Sequence, residues 1–129
     1  MLLSVRLRPP AASAAPGEPS WLDRAEAALS LLSARPGYLR GWVGRSPDDP
    51  GTWLLAAEFD SAGACRRALS AADVRPVLWP LLADAEDSAS TFEVLVAVGA
   101  GGAVERLVSD LAPDAAEVGL GRIPAPDAP

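Results

Sequence analysis

The chain has 129 residues, half of them apolar and 22% charged, which suits one folded domain with its own core and is too apolar for a disordered chain. Eleven basic residues, all arginine, face seventeen acidic ones for a formal net charge of −6, which argues against a nucleic-acid partner. There is no His, Asn or Gln and a single Cys, Cys65; an intramolecular disulfide, a Cys-cluster or His-ligated zinc, a His-held haem and a Ser-His-Asp triad are therefore excluded within one chain.

The first segment, "LLSVRLR", alternates Leu3, Val5 and Leu7 against Ser4, Arg6 and Arg8, which is the period of a strand. Its apolar run is short and interrupted by Arg6 and Arg8, unlike a secretion signal, and nowhere do eighteen uninterrupted apolar residues suggest a membrane span. A cytoplasmic protein without a membrane partner is the expectation. Pro9 and Pro10 end the strand, and a Pro/Ala-rich loop is expected over 9–19.

Ser20 with Asp23 three residues on predicts a capping-box start to a helix whose apolar stripe is Leu22, Ala25, Leu29 and Leu32. Pro36 and Gly37 stop it. "YLRGWVGRS" and "TWLLAAEF" read as two strands of a hairpin joined by "PDDPG". In the first, alternation puts Tyr38, Arg40 and Trp42 on one face. In the second, Trp53, Leu55, Ala57 and Phe59 alternate with Thr52, Leu54, Ala56 and Glu58, so both faces are largely apolar.

Asp60 or Ser61 caps the next helix, "AGACRRALS", with Ala64, Cys65, Ala68 and Leu69 inward. "ADVRPVLWPLLADA" continues in short helical pieces because of Pro76 and Pro80. "STFEVLVAV" is the fourth strand, with Phe92, Val94 and Val96 on one face. The expected organisation is a domain over 1–98 and a C-terminal extension over 99–129 with a short helix, Val104 to Leu111, and a flexible tail.

The order β-α-β-β-α-β is the ferredoxin-like layout of the α+β class, an antiparallel four-stranded sheet with helices on one face. Helices cover Leu3, Val5, Leu7 and Leu55 or their neighbours Leu2 and Leu54, but not both sets. The remaining face is expected to meet a second copy, in a homodimer closing into an α/β barrel.

Residues 35–61 and beyond resemble the antibiotic biosynthesis monooxygenase domain family of the dimeric α/β-barrel group. The matching features are Pro36-Gly37 after a helix, Gly41 in a strand, Phe59-Asp60-Ser61, Ala68-Leu69 and Phe92-Glu93-Val94, and the likeness spans about residues 2–96. It implies a monooxygenase without metal or flavin, or an allied tailoring protein, acting on an aromatic polyketide-like molecule; the alternative is a non-catalytic dimeric binding or accessory protein. The chain departs from the family where Phe59 stands for the usual Trp, and it lacks the family's His and Asn altogether. That disfavours haem degradation.

The candidate residues follow from this fold. Tyr38 is a candidate catalytic proton or hydrogen-bond donor, or else an anchor of the strand entrance. Arg75, in the proline-broken segment with Trp79, is a candidate to hold a phenolate or carboxylate at a cavity mouth, or else a solvated side chain. Trp42, Trp53, Phe59 and Trp79 are candidate walls for a flat substrate, against a plain role in core and subunit seam. Cys65 reads as buried helix filler, and Asp84, Glu86 and Asp87 as a solvated surface.

Overall fold

Alternation in the first strand and capping in the first helix set the frame that the rest of the chain completes. The structure, a computed structural model, describes residues 1–10 and 16–109. The flexible tail expected after Leu111, the end of the helix expected before it and part of the 9–19 loop lie outside the described residues. The chain divides into two compact units, Met1–Glu93 and the segment from Val94 onward.

The first unit contains β1 (Leu2–Leu7), α1 (Trp21–Ser33), β2 (Tyr38–Arg45), β3 (Trp53–Phe59), α2 (Ala62–Leu69), α3 (Arg75–Leu82) and β4 (Thr91–Phe92). The four strands form one antiparallel sheet in the order β2-β3-β1-β4. This is the expected ferredoxin-like α+β arrangement.

α1 begins as its sequence requires. The Ser20 side chain accepts from the Asp23 N–H and the Asp23 carboxylate accepts from the Ser20 N–H, which satisfies two end donors at once. α2 is capped by the Ser61 hydroxyl, which accepts from the Ala64 N–H. Gly37 turns the chain from α1 into β2 at φ +88°, a left-handed conformation that a side chain resists. An added Cβ there would also lie 2.5 Å from Ala64 Cβ and 2.6 Å from Asp60 Oδ1. "RPVLWPLL" forms one short helix despite Pro80 inside it, with Pro76 in its first turn.

One sheet face carries the core. Leu3, Val5 and Leu7 pair in register with Ala57, Leu55 and Trp53, so their side chains share a face, and the three β1 residues pack with Leu55, Ala57 and Phe59 under the helices. Ala25, Ala28 and Leu32 close that core from α1, Ala64, Cys65 and Ala68 from α2, and Leu78 and Leu81 from α3. Each fully buried Leu or Phe contributes about 1.5–3 kcal/mol relative to exposure. The stripe on α1 is rotated from the expected one. Ala28 is buried while Leu22 is 48% exposed, because the small Ala25 and Ala28 let the helix lie close to the sheet.

The other sheet face has no helix on it. Its cross-strand rows run Phe92–Leu2–Glu58–Arg40, then Ser4–Ala56–Trp42, then Arg6–Leu54–Gly44. The first two rows hold most of the apolar surface, with Trp42 48% and Phe92 46% exposed, and the end towards the β2–β3 turn is charged.

Two expectations need correction. Tyr38 does not share a face with Arg40 and Trp42. The register shifts between Tyr38 and Arg40, so Tyr38 pairs with Phe59 on the helix side while Arg40 and Trp42 face away. The fourth strand is also much shorter than "STFEVLVAV". Its ladder with β1 covers only Thr91 and Phe92, although the chain before it still follows β1 through the Ser4 N–H to Ser90 and the Glu86 N–H to Arg6.

In the second unit, β5 (Val96–Val98) and β6 (Val104–Arg106) form a two-stranded antiparallel hairpin, with Val96 opposite Arg106 and Val98 opposite Val104. Val94 and Val96 thus take no part in the four-stranded sheet, and Val104–Arg106 are a strand where a helix was expected. Gly102, at φ +86°, turns the hairpin, and its N–H donates to the Gly99 carbonyl. The glycine-rich "GAGG" reverses the chain and returns it in register, which local helical propensity in "VERL" does not outweigh.

Candidate functional site

A cleft of about 400 Å³ opens between α1 and β2, the edge strand of the sheet. α1 contributes Leu22, Glu26, Leu29, Ser30 and Ser33, and β2 contributes Tyr38, Gly41 and Val43. The helical residues recur at four-, three- and one-residue steps, which brings them to one flank of α1. That flank is the one the rotated stripe leaves open. The apolar stripe in the sequence points Leu22 and Leu29 to the core and so hides Glu26, Ser30 and Ser33; a polar residue one helical turn from each leucine is the signal that marks this flank.

Tyr38 is the aromatic side chain of this cleft. Its ring meets Phe59 edge-on, with centroids 5.7 Å apart and planes at 85°, and this holds it in place. Gly41 leaves the room that its hydroxyl occupies, since a Cβ on Gly41 would lie 2.6 Å from that oxygen. Partial burial pushes the Tyr38 phenol above its ordinary value, so it stays protonated at neutral pH. Its hydroxyl forms no hydrogen bond with protein among the described residues and is free to serve a ligand.

The other residues singled out from sequence are dispersed. Phe59 is fully buried beneath Tyr38. Trp53 stands at the far end of β3, its ring 5.0 Å from that of Trp21 and its other neighbour the Arg45 guanidinium, 5.1 Å from the ring centroid. Trp42 lies on the helix-free face, with Arg40 at 5.7 Å over it. Arg75 and Trp79 stack on each other at 5.7 Å on α3, the indole N–H donates to the Leu69 carbonyl at 3.3 Å, and neither lines the cleft. Tyr38 and Phe59 are brought together, Arg75 and Trp79 meet only each other, and Trp42 and Trp53 stand apart. Cys65 is buried and burial pushes its thiol up, which keeps it protonated and unreactive.

A second, larger groove of about 660 Å³ lies at the charged end of the sheet, beside the β2–β3 turn. Ser4, Arg6, Arg8, Gly44, Arg45, Asp49, Trp53, Leu54 and Glu86 are among its lining residues. Arg8 is bound to Asp49 and reaches the Thr52 hydroxyl at 3.0 Å, tying β1 to the β2–β3 turn. Among the described residues, no helix is long and apolar enough to cross a membrane.

No protein-family model matches the chain, and no curated protein matches it by sequence. Solved structures do match. A variant of SnoaB, a cofactor-independent oxygenase from Streptomyces nogalater, is 21% identical at a TM-score of 0.53, over 66% of this chain and 82% of that one. A conserved protein from Methanosarcina mazei Go1 is 11% identical at a TM-score of 0.52, over 70% and 84%. A protein of Chloroflexus aurantiacus J-10-fl, provisionally named an antibiotic biosynthesis monooxygenase, is 27% identical at 0.48, over 72% and 91%. The likeness to the first two is one of fold, and it agrees with the ferredoxin-like arrangement that the sequence motifs implied.

Proposed function

We propose that the protein is a cofactor-independent monooxygenase, or a closely allied tailoring protein, that takes an aromatic polyketide-like molecule into the cleft between α1 and β2. The observation that carries this reading is the neutral, unpartnered Tyr38 hydroxyl at an open groove of about 400 Å³ between helix and sheet edge. The shared fold with SnoaB, a cofactor-independent oxygenase, supports the reaction type. Leu22, Leu29 and Val43 supply apolar wall, and Glu26 supplies a carboxylate.

In this reading a hydroxylated aromatic ring gives its phenolic proton to Glu26, and Tyr38 donates a hydrogen bond to the resulting oxyanion. The electron-rich anion then reduces O₂ itself. One oxygen atom replaces a ring hydrogen, the other leaves as water, and the four electrons come from the substrate, which becomes a quinone. The protein's part is to bind, desolvate and stabilise the anion. Oxygen uptake by the purified protein with a phenolic anthrone or naphthol, without added flavin or metal, tests this. Tyr38→Phe should lower kcat by about 100–1000-fold if its hydrogen bond forms at the transition state. Uptake unaltered by Tyr38→Phe and by Glu26→Gln would remove the cleft from the reaction.

A second reading, a non-catalytic binding or accessory protein of the same fold, is favoured by the dispersal of Arg75, Trp42, Trp53 and Trp79 away from the cleft. Ligand binding at the cleft without oxygen uptake distinguishes it. In either case the partner proposed for the helix-free face is a second copy of the chain, seated over Leu2, Trp42 and Phe92. A solitary sheet leaves these side chains and its edge strands uncovered. Sedimentation equilibrium at micromolar protein checks this, and a folded species at 13.3 kDa would exclude the dimer.

A further inference from the structure

The β5–β6 hairpin is all surface. Every residue from 95 to 108 is exposed, and none belongs to the buried core among the described residues. Val98 lies opposite Val104 and Val96 opposite Arg106, so three valines share one face, Val96 at 51% exposure and Val98 and Val104 at 63%. Ala97 and Glu105 occupy the other face, with Leu95 and Leu107 at its base. A lone two-stranded hairpin is marginally stable in water and needs an apolar surface against one face. The valine face is the one without a carboxylate on it.

Two observations identify the cover. Only Glu93, Val94 and Leu95 separate Val96 from Phe92, one of the residues over which the second copy is seated. Four residue steps span at most about 14 Å, so the hairpin of each copy reaches an interface formed at Phe92. A two-fold axis running along the strands sets the β4 edge of one copy over the β2 edge of the other, where Trp42 is half exposed on an edge strand. The second observation is one of charge. Arg106 is the one charged residue of the valine face, and Glu58 is the one carboxylate in the two apolar rows of the helix-free face. Glu58 Oε1 accepts from Arg40 Nε at 2.8 Å, which leaves Oε2 for a further guanidinium.

We infer that the β5–β6 hairpin is a dimerisation arm. Its valine face packs on the β2 edge of the partner's sheet, against Trp42 of the partner subunit, and Arg106 pairs with Glu58 of the partner subunit. This rests on the homodimer proposed above and adds the segment that holds it together.

The full chain tests it. Sedimentation equilibrium should give a dimer for the parent, and Val98→Lys with Val104→Glu should raise the dissociation constant at least about 100-fold, the scale of two valines lost from a buried interface. The new side chains face each other with opposite charges, so the hairpin keeps a cross-strand contact. Ala97→Lys, opposite Glu105 on the other face, should stay within about threefold of the parent. Circular dichroism should be that of the parent in both, because the hairpin gives no residue to the core. In a dimer reconstituted from isotope-labelled and unlabelled copies, filtered NOEs should join the Val98 and Val104 methyls to the Trp42 ring of the other copy. A parent that sediments as a folded monomer would remove the homodimer and the arm together. A dimeric parent whose double variant associates as tightly, an Ala97→Lys protein that dissociates as far as the double variant, or valine NOEs confined to one copy or to the partner's hairpin would overturn the arm and leave the dimer standing. The NOE measurement needs no substitution, so it decides the question even if the double variant does not fold.

Discussion

Gly41→Ala probes the link between fold and cleft most directly. The added Cβ would lie 2.6 Å from the Tyr38 hydroxyl, 3.0 Å from the Ala56 carbonyl oxygen and 3.0 Å from Leu29 Cδ2. Leu29 can change rotamer, but the Tyr38 ring is held against Phe59 and the Ala56 oxygen belongs to the neighbouring strand. Overpacking of this kind costs about 1–3 kcal/mol. Replacing a mid-strand glycine by alanine returns about 0.5–1 kcal/mol of backbone entropy. The net loss should be about 1–2 kcal/mol, a fall in Tm of roughly 4–15 °C for a domain of this size. Tyr38→Phe removes the nearest clashing atom. It should change stability by under about 0.5 kcal/mol alone, because the hydroxyl has no protein partner to lose among the described residues. In the double variant it should restore about half of the loss, a coupling of at least about 0.5 kcal/mol. Thermal and urea unfolding followed by circular dichroism measure all four corners of this cycle. A Gly41→Ala protein as stable as the parent, or strictly additive effects, would refute the account of why Gly41 stands beneath Tyr38.

Gly37→Ala combines a positive φ with contacts of 2.5 and 2.6 Å, and should lose about 2–4 kcal/mol in urea unfolding, more than Gly41→Ala. Leu32→Ala, at a fully buried position, should lose about 2–5 kcal/mol by the same measurement. The Asp49 carboxyl is held below its usual value by the Thr52 hydrogen bond and by Arg8. Its stabilising effect on the β2–β3 turn is therefore complete above the ordinary carboxylate range and is lost as pH falls through the lowered value; a carbon-detected NMR titration should find its midpoint below that of free aspartate, and Asp49→Asn should remove the acid-side change at Thr52. Cys65 should resist a thiol reagent in the native protein at pH 8 and react at once in denaturant, since burial both covers it and keeps it protonated.

Elements whose signal is local could be read from the chain directly. Ser20 with Asp23, Ser61 before a helix, Pro36-Gly37 after one, and the alternation of Leu3, Val5 and Leu7 each act within a few residues, and each has its expected outcome in the structure. The β-α-β-β-α-β order followed because those elements have few ways to share one core. What tertiary structure decided was everything that depends on a neighbour far along the chain. One extra residue in the β2–β3 register turned Tyr38 to the helix side and away from Trp42, which strict alternation could not reveal. The close approach of α1 through Ala25 and Ala28 left Leu22, Glu26 and Leu29 to line a cleft. A glycine turn drew Val96–Val98 into pairing with Val104–Arg106 instead of with the main sheet. Short-range patterning names the elements and their inward faces. Register, helix approach and strand partner arise from contacts between segments, and these decided which side chains meet at a site.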